Sequence, residues 1–215
     1  MQNSRVTVVE NSPSPARRRG RPPAFDRSQV LARAAETFWR LGYEGASIAD
    51  LTEAMGITTQ SLYAAFGSKA DLYKEALAQY RQTIGAFTAR ALAEEPNAAD
   101  AFVRLLRETA REFCKAGRPH GCMISTATLA CASENQPMAD YVAVLRAGAL
   151  TLFRDRIERG ISEGHFRPDT DAAALARYLG AIIQGMSVQA RDGASEEELA
   201  SLATIASAEV NRHRM

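Results

Sequence analysis

From Asp26 onward, apolar residues recur three and four positions apart, and no segment alternates with period two. Val30, Ala34 and Phe38 make one such row and Leu31, Ala35 and Trp39 another, so the first predicted helix has one apolar face. Asp26, with Gln29 three residues on, caps its start, and Gly42 stops it after Leu41. Ser47 and Asp50 have capping-box spacing, in which a hydroxyl accepts from the third N–H and the carboxylate bonds back. That second helix is short, because Gly56 stands where a left-handed residue would end it. A third starts at about Thr58 and turns Leu62 and Phe66 inward. A fourth opens at the Ser68–Asp71 box and carries Leu72, Tyr73, Leu77 and Tyr80.

Beyond Glu94-Glu95-Pro96 the chain becomes long, Ala-rich and amphipathic. The pattern predicts helices over 98–116, 120–133, 137–163, 170–191 and 195–212. Breaks fall at Gly117 to Pro119, at Pro137, from Gly164 to Pro168 and at Asp192-Gly193, and Ser195 with Glu198 boxes the last start. The predicted fold is all-α: an N-terminal helix-turn-helix three-helix domain and a larger helical domain. Residues 1–15, rich in Asn, Ser and Pro, are expected to be disordered. Pro22 and Pro23 are expected to favour an extended path for the basic arm, 16–25. The helix-turn-helix domain takes 26–80 and the second domain 81–215.

The formal net charge is only +1, but its distribution is uneven. Five arginines (17, 18, 19, 21 and 27) face one acid, Asp26, between residues 16 and 27, leaving the rest of the chain at −3. A basic arm on a slightly acidic body suits a chain that meets phosphate at one end. The cluster is followed by prolines, not an apolar stretch, so it is no signal peptide, and no run is long enough to span a membrane; a cytoplasmic location is expected. Cys114, Cys122 and Cys131 lack zinc spacing and are read as reduced, mostly buried thiols. His120 and His165 have no metal-ligand partners, and no catalytic triad, phosphate loop or paired carboxylates stand out. No enzyme, metal site or cofactor is expected.

The informative stretch is Ser47 to Leu72. Two short helices about Met55-Gly56-Ile57 fit a helix-turn-helix, whose second helix projects beyond the body. Thr58, Thr59, Gln60 and Ser61 put small or amide side chains at the start of that helix, where they suit base edges or phosphates; simple N-capping is the competing use.

At these residues the chain resembles the tetracycline-repressor (TetR) family. Gly56, Ile57, Thr58-Thr59-Gln60, Leu62-Tyr63, Phe66 and Lys69 resemble its signature, with Phe38, Gly42-Tyr43 and Ser47-Ile48 before it. The close likeness covers roughly residues 26–80. Ala65 and Thr52 depart from it, standing where the family often has a His and a small Ala.

The resemblance implies a transcriptional repressor released from a palindromic double-stranded operator by a small-molecule inducer. It places Thr59 and Gln60, with Thr58, at base edges in the major groove, an amide at Gln60 suiting adenine. It implies phosphate contacts from Tyr63 and Lys69 and at the helix start of Ser47. The Arg17, Arg18, Arg19 and Arg21 arm would lie on the backbone or in the minor groove.

It also implies an Ω-shaped homodimer built on the last two helices. Independently, Leu175, Tyr178, Leu179, Ile182, Ile183 and Met186 exceed one apolar stripe, as a partnered helix would. The inducer would sit among the middle helices, where apolar faces carry a few polar groups: Phe102, Leu106, Phe113, Cys122, Met123, Thr126, Tyr141, Leu145, Phe153 and Gln184. Two rivals stand against this reading. One is a helical interaction protein that binds nucleic acid non-specifically through its arm; the other is a small helical enzyme with a catalytic pair in its cavity.

Overall fold

The computed structural model describes residues 25–215; the expected disordered segment 1–15 and the arm arginines Arg17, Arg18, Arg19 and Arg21 lie outside the described residues. Among the described residues there are nine α-helices and no strand. Helix α1 spans Arg27–Gly45, α2 Ile48–Met55, α3 Thr59–Phe66 and α4 Lys69–Gln82. They are followed by α5 (Ala86–Glu94), α6 (Ala98–Phe113), α7 (Gln136–Ser162), α8 (Ala172–Arg191) and α9 (Glu196–Arg212).

The caps explain most of these limits. Asp26 accepts from the amides of Ser28 and Gln29. Ser47–Asp50 and Ser195–Glu198 form complete capping boxes. Gly42 leaves helical geometry at φ +77°, but the chain resumes one more turn to Gly45, so Gly42 kinks α1 and does not end it. Gly56 takes the left-handed conformation expected of it, at φ +67°. Helix α5 comes after the fourth predicted helix: α4 ends at Gln82 and the chain turns so that the Gly85 amide donates to Tyr80 O.

Two apolar cores hold the helices. One packs α1 to α4 around Phe38, Leu51, Leu62, Leu72, Tyr73 and Leu77. The other packs α5 to α9 around Phe102, Leu105, Leu106, Phe153, Ile157 and Leu179. Arg156 is buried beside the second core, where its guanidinium donates to the carbonyls of Leu92, Glu95 and Pro96 and fixes the α5–α6 corner.

The helix expected over 120–133 is absent, and the one expected over 98–116 ends at Phe113. Residues 114–132 form an irregular strap instead. Gly121 adopts φ +76° against α8, where a Cβ would come within 2.5 Å of Ser187 O. Thr128 also has positive φ. Tertiary partners replace the helical hydrogen bonds. The Cys122 amide donates to Ser187 Oγ at 2.7 Å, and Arg146 of α7 donates to the carbonyls of Ala127 (2.8 Å) and Ile124 (3.4 Å). Met123 and Ala127 of this strap, with Met138 and Val142 of α7, enter the first core.

The apolar excess of α8 is mostly consumed inside the subunit. Leu175, Leu179 and Met186 are buried, while Tyr178, Ile182 and Ile183 pack against the same core. Gly180 admits Leu150 of α7, whose side chain a Cβ there would strike. The large apolar residues left exposed on α8 and α9 are Val188 (45%) and Ile205 (67%). The cysteines are free thiols of intermediate exposure rather than mostly buried ones, and burial raises the Cys114 thiol above its ordinary pKa.

Candidate nucleic-acid interface

Helix α3 is held from behind and open in front. Leu62 and Phe66 are buried under it, and the guanidinium of Arg27 stacks 4.6 Å from the Phe66 ring while pairing with Glu75. The turn before it is fixed by Gly56, whose amide donates to Glu53 O.

At the exposed start of α3 the polar side chains divide in two. Thr58 caps the helix by accepting from the Ser61 amide, and the two hydroxyls lie 2.9 Å apart. Thr59 and Gln60 are exposed and, among the described residues, their side chains make no hydrogen bond within the protein. Tyr63 is 47% exposed on the same helix. Ser47 sits exposed at the start of α2, its hydroxyl and amide both bonded to Asp50, which holds that carboxyl below its usual pKa.

Lys69 is not a free surface lysine. Its ammonium lies 4.8 Å over the Tyr43 ring; burial lowers its pKa, and Glu44 and Asp50 raise it. The structure therefore brings Ser47, Thr59, Gln60, Tyr63 and Lys69 into one α2–α3–α4 head, with Thr58 and Ser61 engaged in capping. Ala65 packs half-buried against the head's core, and Thr52 returns its hydroxyl to the carbonyls of Ile48 and Ala49.

A cavity of about 590 Å³ opens between the end of α4, the strap, α7 and α8. Of the residues expected around a small molecule, Phe113, Cys122, Leu145, Phe153 and Gln184 line it. Phe102 and Leu106 are instead fully buried in the α5–α9 core, and Met123 in the head's core. Thr126 donates to Cys122 O and meets Arg191, while Tyr141 packs beside the head under Lys74. The expectation rested on apolar helical faces carrying a few polar groups; Met123 and Thr126 lie in the strap instead of a helix, and the α6 and α7 residues Phe102, Leu106 and Tyr141 face packed cores. Tyr80, Arg81, Arg146 and Ile183 line the cavity unforeseen. Arg146 left one sequence signal, a lone charge inside the apolar run Val144 to Leu150.

Residues 30–76 match the family described as "Bacterial regulatory proteins, tetR family", and residues 101–205 the "Tetracyclin repressor-like, C-terminal domain". The HTH-type transcriptional repressor ComR of Escherichia coli is 33% identical over 186 residues, covering 86% of this chain and 89% of ComR. The HTH-type transcriptional repressor BdcR, also of E. coli, is 32% identical, covering 87% of this chain and 90% of BdcR. Among solved structures, a cysteine mutant of the TetR family regulator CifR, in complex with 26-base-pair operator DNA, superposes with a TM-score of 0.85. It is 42% identical and covers 87% of this chain and 98% of its own. Regulators of this family are DNA-binding transcription factors without enzymatic activity, as the missing catalytic signatures led us to expect. The chain belongs to the TetR family of bacterial transcriptional regulators.

Proposed function

We propose that the chain is a transcriptional repressor that binds a palindromic operator as a homodimer in the cytoplasm and leaves it when a small molecule enters the cavity. The observation that carries DNA reading is the division at the start of α3: Thr58 and Ser61 serve the cap, while Thr59 and Gln60 project with no hydrogen-bond partner among the described residues. A polar side chain that the fold does not use, on a helix backed by a packed core, is free to bond a base edge. Ser47, Tyr63 and Lys69 would hold phosphates around it, and the arm arginines Arg17, Arg18, Arg19 and Arg21 would add non-specific attraction. Residues 26–80 would form the reading unit and 81–215 the regulatory and dimerising one. ComR and BdcR being named repressors, and CifR being bound to operator DNA, support this reading.

The cavity is the reason for adding ligand control. Its wall includes Ala78, Tyr80, Arg81 and Gln82 of α4, the helix whose other end supports the reading head. A molecule there that prefers one position of α4 shifts the head by that preference. Footprinting on the chain's own upstream DNA, beside a scrambled duplex of the same length, tests DNA reading. Protection of a two-fold symmetric site supports it; equal binding to both duplexes would leave a non-specific binder.

A further inference from the structure

The cavity has a sign. Phe87, Phe113, Leu145, Leu150 and Phe153 make most of its wall apolar. Among the described residues its polar lining comprises Tyr80, Arg81, Gln82, Thr88, Cys122, Ser125, Arg146 and Gln184, with no Asp or Glu. Among the described residues neither Arg81 nor Arg146 has a carboxylate partner within 4.0 Å. Arg146 is half-buried and donates only from Nη1, to the two strap carbonyls; among the described residues Nε and Nη2 have no protein acceptor. Carbonyl dipoles solvate a guanidinium but do not neutralise it, so a partly desolvated positive charge remains beside an apolar wall. Burial is the dominant influence on Arg146 and lowers its pKa, with Tyr73 a lesser, opposing one.

We infer that this cavity, taken as the effector site proposed above, binds a largely apolar molecule ending in one carboxylate, docked against Arg146 with Arg81 nearby. A planar carboxylate matches the unused Nε–Nη2 edge of a guanidinium, and its charge completes a site that has none of that sign. A cation would meet the same field as repulsion, and among the described residues no group of His, Cys, Asp or Glu is placed to hold a metal. The volume lies in the range of small-molecule sites.

The docking point also connects to the head. Arg146 anchors Ile124 and Ala127; Ile124 and Ser125 face the cavity, whereas Met123 and Ala127 pack in the α1–α4 core. An anion on the free Nε–Nη2 edge draws the guanidinium toward the cavity while Nη1 still holds the strap, so a shift of Arg146 passes to the strap, whose other side is the reading head.

The test uses the full chain without DNA and three probes with one hydrocarbon frame: 4-phenylbutanoate, 4-phenylbutanamide and 4-phenylbutylammonium. Binding is followed by calorimetry and by the emission of the single tryptophan, Trp39, whose ring lies 5.1 Å from that of the cavity residue Tyr80. The expected result is carboxylate binding at least about tenfold tighter than the amide, weakening with added salt, and no binding of the ammonium. Arg146→Gln should erase the preference. Because that variant also frees the strap, Arg81→Gln, which touches no strap contact, should lower the preference several-fold in a protein with an unchanged melt. Equal affinities, preference for the amide or ammonium, or no binding of any probe overturns the inference. Tight carboxylate binding that leaves an operator complex intact would sustain it and instead reject release by ligand.

Discussion

Arg191, in the last turn of α8, donates from Nη1 to the main-chain carbonyl of Trp39 in α1 at 3.1 Å, joining residues 152 apart in sequence. The same Nη1 reaches Thr126 Oγ1 of the strap at 3.3 Å, and Nη2 reaches Arg40 O at 3.5 Å. These carbonyls lie just before Gly42, where α1 leaves helical geometry. One guanidinium thus ties the end of α8, the strap and the reading head. Arg191→Ala removes a charge-assisted contact of the order of 1.5–3 kcal/mol, reduced by partial exposure. The melting temperature should fall by about 2–4 °C. Operator affinity should fall as well, because the head is less firmly aimed. Arg191→Lys should not restore it, since an ammonium lacks the fork that spans two carbonyls. Melts and operator titrations that match the parent protein would show that this tie has no effect.

Readout at α3 predicts different losses from neighbouring residues. Gln60→Ala should relax preference at one base position, with a cost of about 1–3 kcal/mol on the preferred operator. Tyr63→Phe should weaken all sequences alike and leave the melt unchanged, because Tyr63 is 47% exposed and among the described residues its hydroxyl makes no hydrogen bond. Lys69→Ala is a mixed test, as it also strips the cation from the Tyr43 ring. A selection from random duplexes measures all three; an unaltered preference for Gln60→Ala removes base reading from that residue.

Assembly is best probed away from the cavity. Ile183→Asp, which the apolar excess of α8 first suggests, would place its charge in the cavity wall. Val188→Asp with Ile205→Asp instead changes the exposed apolar residues of α8 and α9. In a two-fold interface each charge is buried twice without a partner, so the double variant should sediment as a monomer and bind the operator near its non-specific level. A dimer by sedimentation, with normal affinity, would put the interface on another face.

The capping boxes give the fold an acid limit. Hydrogen bonds from the Ser47 hydroxyl and then its amide, with the Lys69 charge, hold the Asp50 carboxyl below its usual pKa. Glu198 is lowered in the same way by the Ser195 amide and hydroxyl. A folded pKa below the unfolded one gives stability that is complete above the ordinary carboxylate range. It is lost as pH falls below about 4, through the depressed folded values. Asp50→Asn should therefore flatten the acid side of the melting-temperature profile. An identical slope between about pH 5 and pH 3 in both proteins would contradict this assignment.

Local spacing alone determined much of this protein. Capping pairs, glycine stops and the i, i+4 rows act within one helical turn, so the α1–α4 head and the exposed start of α3 were legible from Asp26, Ser47, Gly56, Thr58 and Leu62. The tertiary structure decided what depends on partners far along the chain. Residues 120–133 have a helical pattern, yet Ser187, Phe113 and Arg146 supply hydrogen bonds that a helix would have made internally, and Gly121 must fit against α8. That choice redrew the cavity, sending Met123 to the head's core and Arg146 to the cavity wall. The apolar surplus of α8 faces inward for a separate reason: α6, α7 and α9 pack on that helix and cover most of it within one chain. Sequence spacing shows which residues share a helical face, but what covers that face depends on helices brought together only by folding.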